Sequence, residues 1–249
     1  VTVHRVSTQS ATNESAGIVI PRAAAHPVVR RPSQALVSAW YTRHAAALAQ
    51  LDRPESAVQR QRAAAHVAPL HHLLGASPDY RLALDGCTER PHRRPGWDWD
   101  PLADLANIHA GLLTVHPDDP VPLHDHPGSR GVQLVVAGRI RMTQYRRERP
   151  PGTAEDTYIL HPLARFDLQR GEAAFFTPAA DVHGLTAHGE RCVILNLLLD
   201  PYPARSRGWY FPHTDRPADT MLLATRWRLA FLALRRMTGD GAGMTGADI

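Results

Sequence analysis

The sequence predicts a mainly β fold, a jelly roll with helices before it and one helix after it. Short apolar runs beyond residue 96 are punctuated by Pro and Gly turns, and helical periodicity is confined to the stretches on either side. With 249 residues the chain can bury one core plus an accessory region, and its 21 prolines and 17 glycines argue against a pure helical bundle.

Residues 1–30 lack periodicity and read as a flexible arm. Residues 31–95 read as a helical region. Leu36, Trp40, Ala47 and Leu51 recur at helical spacing behind Ser33, a residue type that caps helices, so a first helix should run to about Leu51. Asp52-Arg53-Pro54-Glu55 is a stop and restart, with Pro54 in the first turn of a second helix ending by Gly75 and Pro69 as a point of kinking or early termination.

Residues 96–215 hold the β domain. Trp97-Asp98-Trp99-Asp100 reads as a crossing loop, and the candidate strands are 107–115, 131–137, 139–145, 157–160, 164–168, 173–176 and 191–199. Pro117-Asp118-Asp119-Pro120, Ala137-Gly138 and Gly171-Glu172 supply turns between them. Residues 216–249 carry a helix from Met221 to Met237, drawn from Leu223, Trp227, Phe231 and Leu234, and then a disordered Gly-rich tail.

Composition narrows the function classes. Cys87 and Cys192 are too few for a disulfide framework, so a reducing cytoplasm fits and both thiols read as buried structural residues. No charged start followed by a long apolar segment lies near Val1, and the longest apolar run, Cys192 to Leu199, is too short to cross a bilayer. Formal charge is +4 and the pI near 9.5, yet the arginines are scattered and lack the basic stripe with interleaved aromatics that nucleic acid requires. We expect neither a nucleic-acid nor a membrane partner, and a monomer or weak homo-oligomer.

Pro122-Leu123-His124-Asp125-His126-Pro127-Gly128 carries the chemistry. Side chains alternate along an extended strand, so His124 and His126 share a face while Asp125 points away, as a partner able to orient a ligand ring or a loop. The pair resembles the first motif of the cupins, with Gly138 in the place of the closing glycine. Gly171, Pro178 and His183 follow at the spacing of the second cupin motif. Arg130 and Gly131 stand where the cupin glutamate ligand would be, leaving three imidazoles as metal ligands: His124, His126 and His183.

Together with Tyr145, Val182-His183, the Cys192-to-Leu198 run, Pro201-Tyr202 and Trp209-Tyr210-Phe211, these residues resemble the cysteamine dioxygenase and plant cysteine oxidase family of thiol dioxygenases over roughly residues 96 to 212. The resemblance implies a cupin double-stranded β-helix, Fe(II) on the three histidines, and O2-dependent oxidation of a thiol to its sulfinic acid. It places Tyr202 near the site, either donating a hydrogen bond to sulfur or oxygen or anchoring a loop. Asn196 stands where the plant enzymes carry an aspartate, and an amide cannot offset an ammonium charge. Arg130 and Arg165 are candidates for binding a substrate carboxylate at the barrel mouth, or simply solvated surface.

The reading is therefore a cytoplasmic Fe(II) thiol dioxygenase acting on a small aminothiol or an N-terminal cysteine. Two alternatives stay open: another metal-dependent cupin enzyme, such as an isomerase or a dioxygenase of a non-thiol substrate, and a non-catalytic cupin sensor with the N-terminal helices as a partner-binding module.

Overall fold

The computed structural model describes residues 32–89, 97–149, 151, 157–199, 208–212 and 220–224. Three helices come first: α1 (Pro32–Ala49), α2 (Ala57–Gly75) and α3 (Pro78–Glu89). Ser56 caps α2 by accepting the backbone N–H of Gln59, and α2 runs through Pro69 to Gly75 without ending there. Ser33 lies inside α1, and its hydroxyl donates to Asp79 of α3 at 2.8 Å, tying the starts of the two helices together. The sequence reading contained no α3.

Eleven strands follow among the described residues: β1 (Trp97–Leu105), β2 (Ile108–Val115), β3 (Val121–His124), β4 (Arg130–Ala137), β5 (Arg139–Glu148), β6 (Thr157–Gln169), β7 (Ala173–Phe176), β8 (Val182–Ala187), β9 (Cys192–Leu199), β10 (Trp209–Pro212) and β11 (Thr220–Ala224). One sheet has the order β1-β2-β9-β4-β7, and the other, β10-β11-β6-β5-β8-β3, closes through the pairing of Trp209 with His124. Two facing antiparallel sheets of this order are the cupin double-stranded β-helix.

Several elements differ from expectation. Trp97 to Asp100 is not a loop: Trp97 pairs with Val115 and Trp99 with Leu113 along the edge of the first sheet. The two candidates 157–160 and 164–168 are one strand, and the gap between them is a bulge where Tyr145 pairs with Pro162 and Gln144 with Ala164. A bulge is where a strand tolerates proline. The final helix does not begin at Met221, because Met221 to Ala224 is strand paired with β10 and β6. The rest of that helix, the arm 1–30 and the Gly-rich tail lie outside the described residues.

Side-chain alternation separates two cores. Val132, Leu134, Val193, Leu195 and Leu197 point outward from the first sheet and meet Val37, Trp40, Leu48, Val67, Leu70 and Leu74 of the helices. Each fully buried leucine of α2 contributes roughly 1.5–3 kcal/mol relative to exposure. Leu113, Val135, Cys192 and Ile194 point inward and meet Ile140, Met142, Phe166 and Leu185 of the second sheet. β9 is thus buried on both faces, which is why it reads as an apolar run broken only by Asn196. No helix among the described residues is long and apolar enough to cross a membrane.

Candidate metal centre

His124 ends β3 directly opposite His183 of β8, and His126 follows in the turn that Gly128 completes with a φ of 73°. All three residues are buried, and one nitrogen from each ring lies within 4.8 Å of the others. Nδ1 of His124 donates to the Pro122 carbonyl at 2.9 Å, and Nδ1 of His183 to the Asp181 carbonyl at 3.2 Å. Those bonds fix both rings in the tautomer that offers Nε2 to a metal. Three neutral imidazoles suit a divalent iron, zinc, copper or nickel ion and leave it uncompensated by any acidic ligand.

Aromatic rings wall the cluster. Phe176 stacks on His126 and His183 with centroids at 4.7 and 4.9 Å, and Trp209 lies 5.0 Å from His124 and 5.2 Å from Trp97. A Cβ on Gly131 would collide with the Phe176 ring. Gly131 is one of the two residues at the spacing of the absent cupin glutamate, so the ring of Phe176 fills the space that such a side chain would need. Gly138 serves the hairpin between β4 and β5, where its φ of 74° and the neighbouring Arg191 carbonyl admit no side chain.

Asp125 turns away from the ligand rings into a buried network. Its carboxylate accepts from the Gly208 N–H at 2.6 Å, from the Tyr210 hydroxyl at 2.8 Å and from the Arg147 guanidinium. The same guanidinium donates to Asp181 at 3.1 Å. Arg147 therefore braces the segment that carries His124 and His126 against the one that carries His183. One guanidinium serves two buried carboxylates, and burial pushes the Asp181 carboxyl up to about 6 despite the pull of Arg147, with Asp125 pushing in the same direction as burial. Burial also raises the Tyr210 phenol, which keeps it a donor.

Asn196 is buried on the inner face of β9, level with Gln133 of β4. The Gln133 amide nitrogen stands 3.5 Å from Nε2 of His183. Sequence reasoning missed Gln133; a lone polar residue inside the apolar run Val132 to Val136 is the signal that marks it. Arg130 goes the other way. Alternation places it with Val132 and Leu134 on the helix side of β4, where it donates to the Leu51 carbonyl at 2.6 Å, away from the histidines. Arg165 is exposed on the outer side of β6, opposite in sense to its inward neighbour Phe166. Tyr202 lies outside the described residues.

Among solved structures the chain is similar to the TT1209 protein of Thermus thermophilus, at 18% identity over 44% of this chain and 89% of that one, with a TM-score of 0.34. A double-stranded β-helix protein from Klebsiella pneumoniae matches at 17% identity, 45% and 84% coverage and a TM-score of 0.33. Oxalate decarboxylase from Bacillus subtilis matches at 27% identity over 38% of this chain and 22% of that one, with a TM-score of 0.30. No curated protein matches the chain. The family model PCO_ADO, covering plant cysteine oxidases and cysteamine dioxygenases, matches residues 100–225, just over half of the 249 residues, and takes in all three histidines. The chain belongs to the plant cysteine oxidase and cysteamine dioxygenase family.

Proposed function

We propose that the protein is an Fe(II)-dependent thiol dioxygenase that converts a small aminothiol or an N-terminal cysteine to its sulfinic acid. The observation that carries this reading is the cluster of His124, His126 and His183 in a chain of this family, with no carboxylate in the cluster. In the net reaction R–SH + O2 gives R–SO2H: both oxygen atoms become bonded to sulfur, which loses four electrons to the O2. Iron held by the three imidazoles would supply redox chemistry and, with its charge undiminished by neutral ligands, would favour the thiolate over the thiol.

The chain's own residues do the rest. The Pro122 and Asp181 carbonyls hold two ligand rings in the metal-binding tautomer, and the Arg147 brace fixes the spacing of their segments. Phe176, Trp97 and Trp209 exclude water from around the rings, which strengthens electrostatic interactions there. We assign Tyr202 as a hydrogen-bond donor toward the reacting sulfur or oxygen and Asn196 as a substrate contact. The test is direct: protein loaded with Fe(II) should consume O2 in the presence of a thiol and add about 32 mass units, two oxygen atoms, to it. Turnover supported by Zn²⁺ or Mn²⁺ without O2 would refute the assignment.

A further inference from the structure

A cleft of about 630 Å³ opens where the end of α2 and the start of α3 meet the turn between β6 and β7, and it shares no residue with the histidine cluster. Its walls carry four basic side chains, His71, His72, Arg81 and Arg170, while Ala76 and Leu84 give it apolar surface. No Asp or Glu is among the described residues that line it. Two acids near it in the chain are engaged elsewhere: Asp79 accepts from the Ser33 and Ser77 hydroxyls, and Glu172 from the Gln169 N–H. The end of α2 is also satisfied, because the Leu73 and Leu74 carbonyls accept the N–H groups of Ala76 and Ser77.

Tyr80, at the base of the cleft, sets its hydrogen-bonding sense. The residue is completely buried, and burial raises its phenol, so the hydroxyl stays protonated. That hydroxyl lies 2.7 Å from Nδ1 of His71, whose imidazole is held below its ordinary value by burial and then by Arg170 and His72. A neutral ring that accepts at Nδ1 carries its proton on Nε2. His71 therefore adds an N–H donor to the two guanidinium groups. Donors and positive charge beside an apolar wall suit an anionic group on an apolar body, and the volume is that of a small-molecule site.

We infer that this cleft binds a small organic anion, a carboxylate or phosphate on an apolar body, with Arg81, Arg170 and His71 on the anionic oxygens and Leu84 against the body. The site is independent of the dioxygenase reading, and nothing in the chemistry proposed above uses it.

The test is calorimetric titration of the intact chain with phenyl phosphate, benzoate, inorganic phosphate and benzyl alcohol. The better of the two aromatic acids should bind at least about tenfold more tightly than inorganic phosphate, because its ring leaves water, and than benzyl alcohol, which cannot form charge-assisted bonds. Either order of the two acids supports the site and identifies the preferred head group. Arg81→Glu and Arg170→Glu, both at exposed positions, should each weaken that binding at least about tenfold. Arg62→Glu, exposed on an earlier turn of α2, should leave it unchanged. An anion held instead by a metal on the three histidines would be insensitive to both reversals at the cleft. Such insensitivity, or wild-type binding of both acids no tighter than of the two controls, would overturn the inference. The wild-type order alone decides if a variant fails to fold.

Discussion

Phe176 lies where a side chain on Gly131 would stand, and the same ring stacks on His126 and His183. The absence of a side chain at one position and the placement of a ring from the neighbouring strand are thus a single device. It leaves no room for a ligating side chain at the Gly131 position of β4.

Gly131→Ala should push that ring against both histidines. Overpacking of this kind costs about 1–3 kcal/mol. We expect a lowered urea midpoint together with weaker metal binding, and recovery of both when Phe176→Leu is added. A single variant that keeps wild-type stability and affinity would show that the ring has room to move.

His183→Ala should abolish iron retention and thiol oxidation together, as measured by metal analysis and O2 uptake. His161→Ala, at a half-exposed histidine paired with Glu148 on the outer strands, should change neither. Normal turnover by His183→Ala would eliminate the third ligand.

Arg147→Met leaves Asp125 and Asp181 buried without their shared cation. Breaking a buried ion pair from one side costs about 3–5 kcal/mol. Thermal and urea unfolding should report that loss, and metal affinity should fall because the two ligand segments are no longer braced. Arg147→Lys keeps the charge but cannot span both carboxylates with a planar fork, so it should recover only part.

Burial alone would raise the Asp79 carboxyl, yet hydroxyl donation from Ser77 and Ser33 outweighs it and holds the group below the ordinary carboxylate value. A folded-state pKa that is depressed stabilises the protein above the unfolded value near about 4, and that contribution disappears as pH falls through the folded value. Ser33→Ala should therefore be less stable than wild type at neutral pH, and the difference should shrink on acidification from about pH 5 to about pH 2. A difference independent of pH would place the effect in packing instead.

Cys192 is completely buried, and burial pushes its thiol up to about 12. The thiolate is the reactive form. Iodoacetamide should leave Cys192 unmodified in the native protein and label it in urea, as read by mass spectrometry.

The β-rich architecture and the cluster were legible because each rests on a short-range pattern. Cys192 to Leu199 is apolar at every position but Asn196 because it is covered on both faces, and His124 and His126 show their shared side through a two-residue spacing. Trp97 to Leu105 was hidden because its acidic residues and Pro101 suit an edge strand with one wet side as well as they suit a loop. Arg130, open between a carboxylate contact and solvated surface, is neither legible nor settled by spacing: one residue from Gly131, it faces the helices and donates to the Leu51 carbonyl, a partner far away in the chain. Gln133 and the Asp125–Arg147–Asp181 brace depend on partners far apart in the chain, which no local pattern reveals.

The helices cover the outer wall of the five-stranded sheet, so the fragment that starts at Trp97 is not a self-sufficient unit even though it contains every ligand. Released alone, it would present the outward side chains of β4 and β9 as a bare greasy wall and would be expected to stick to itself. The half of this chain that carries the three histidines thus owes the cover on its outer wall to the half that carries none of them.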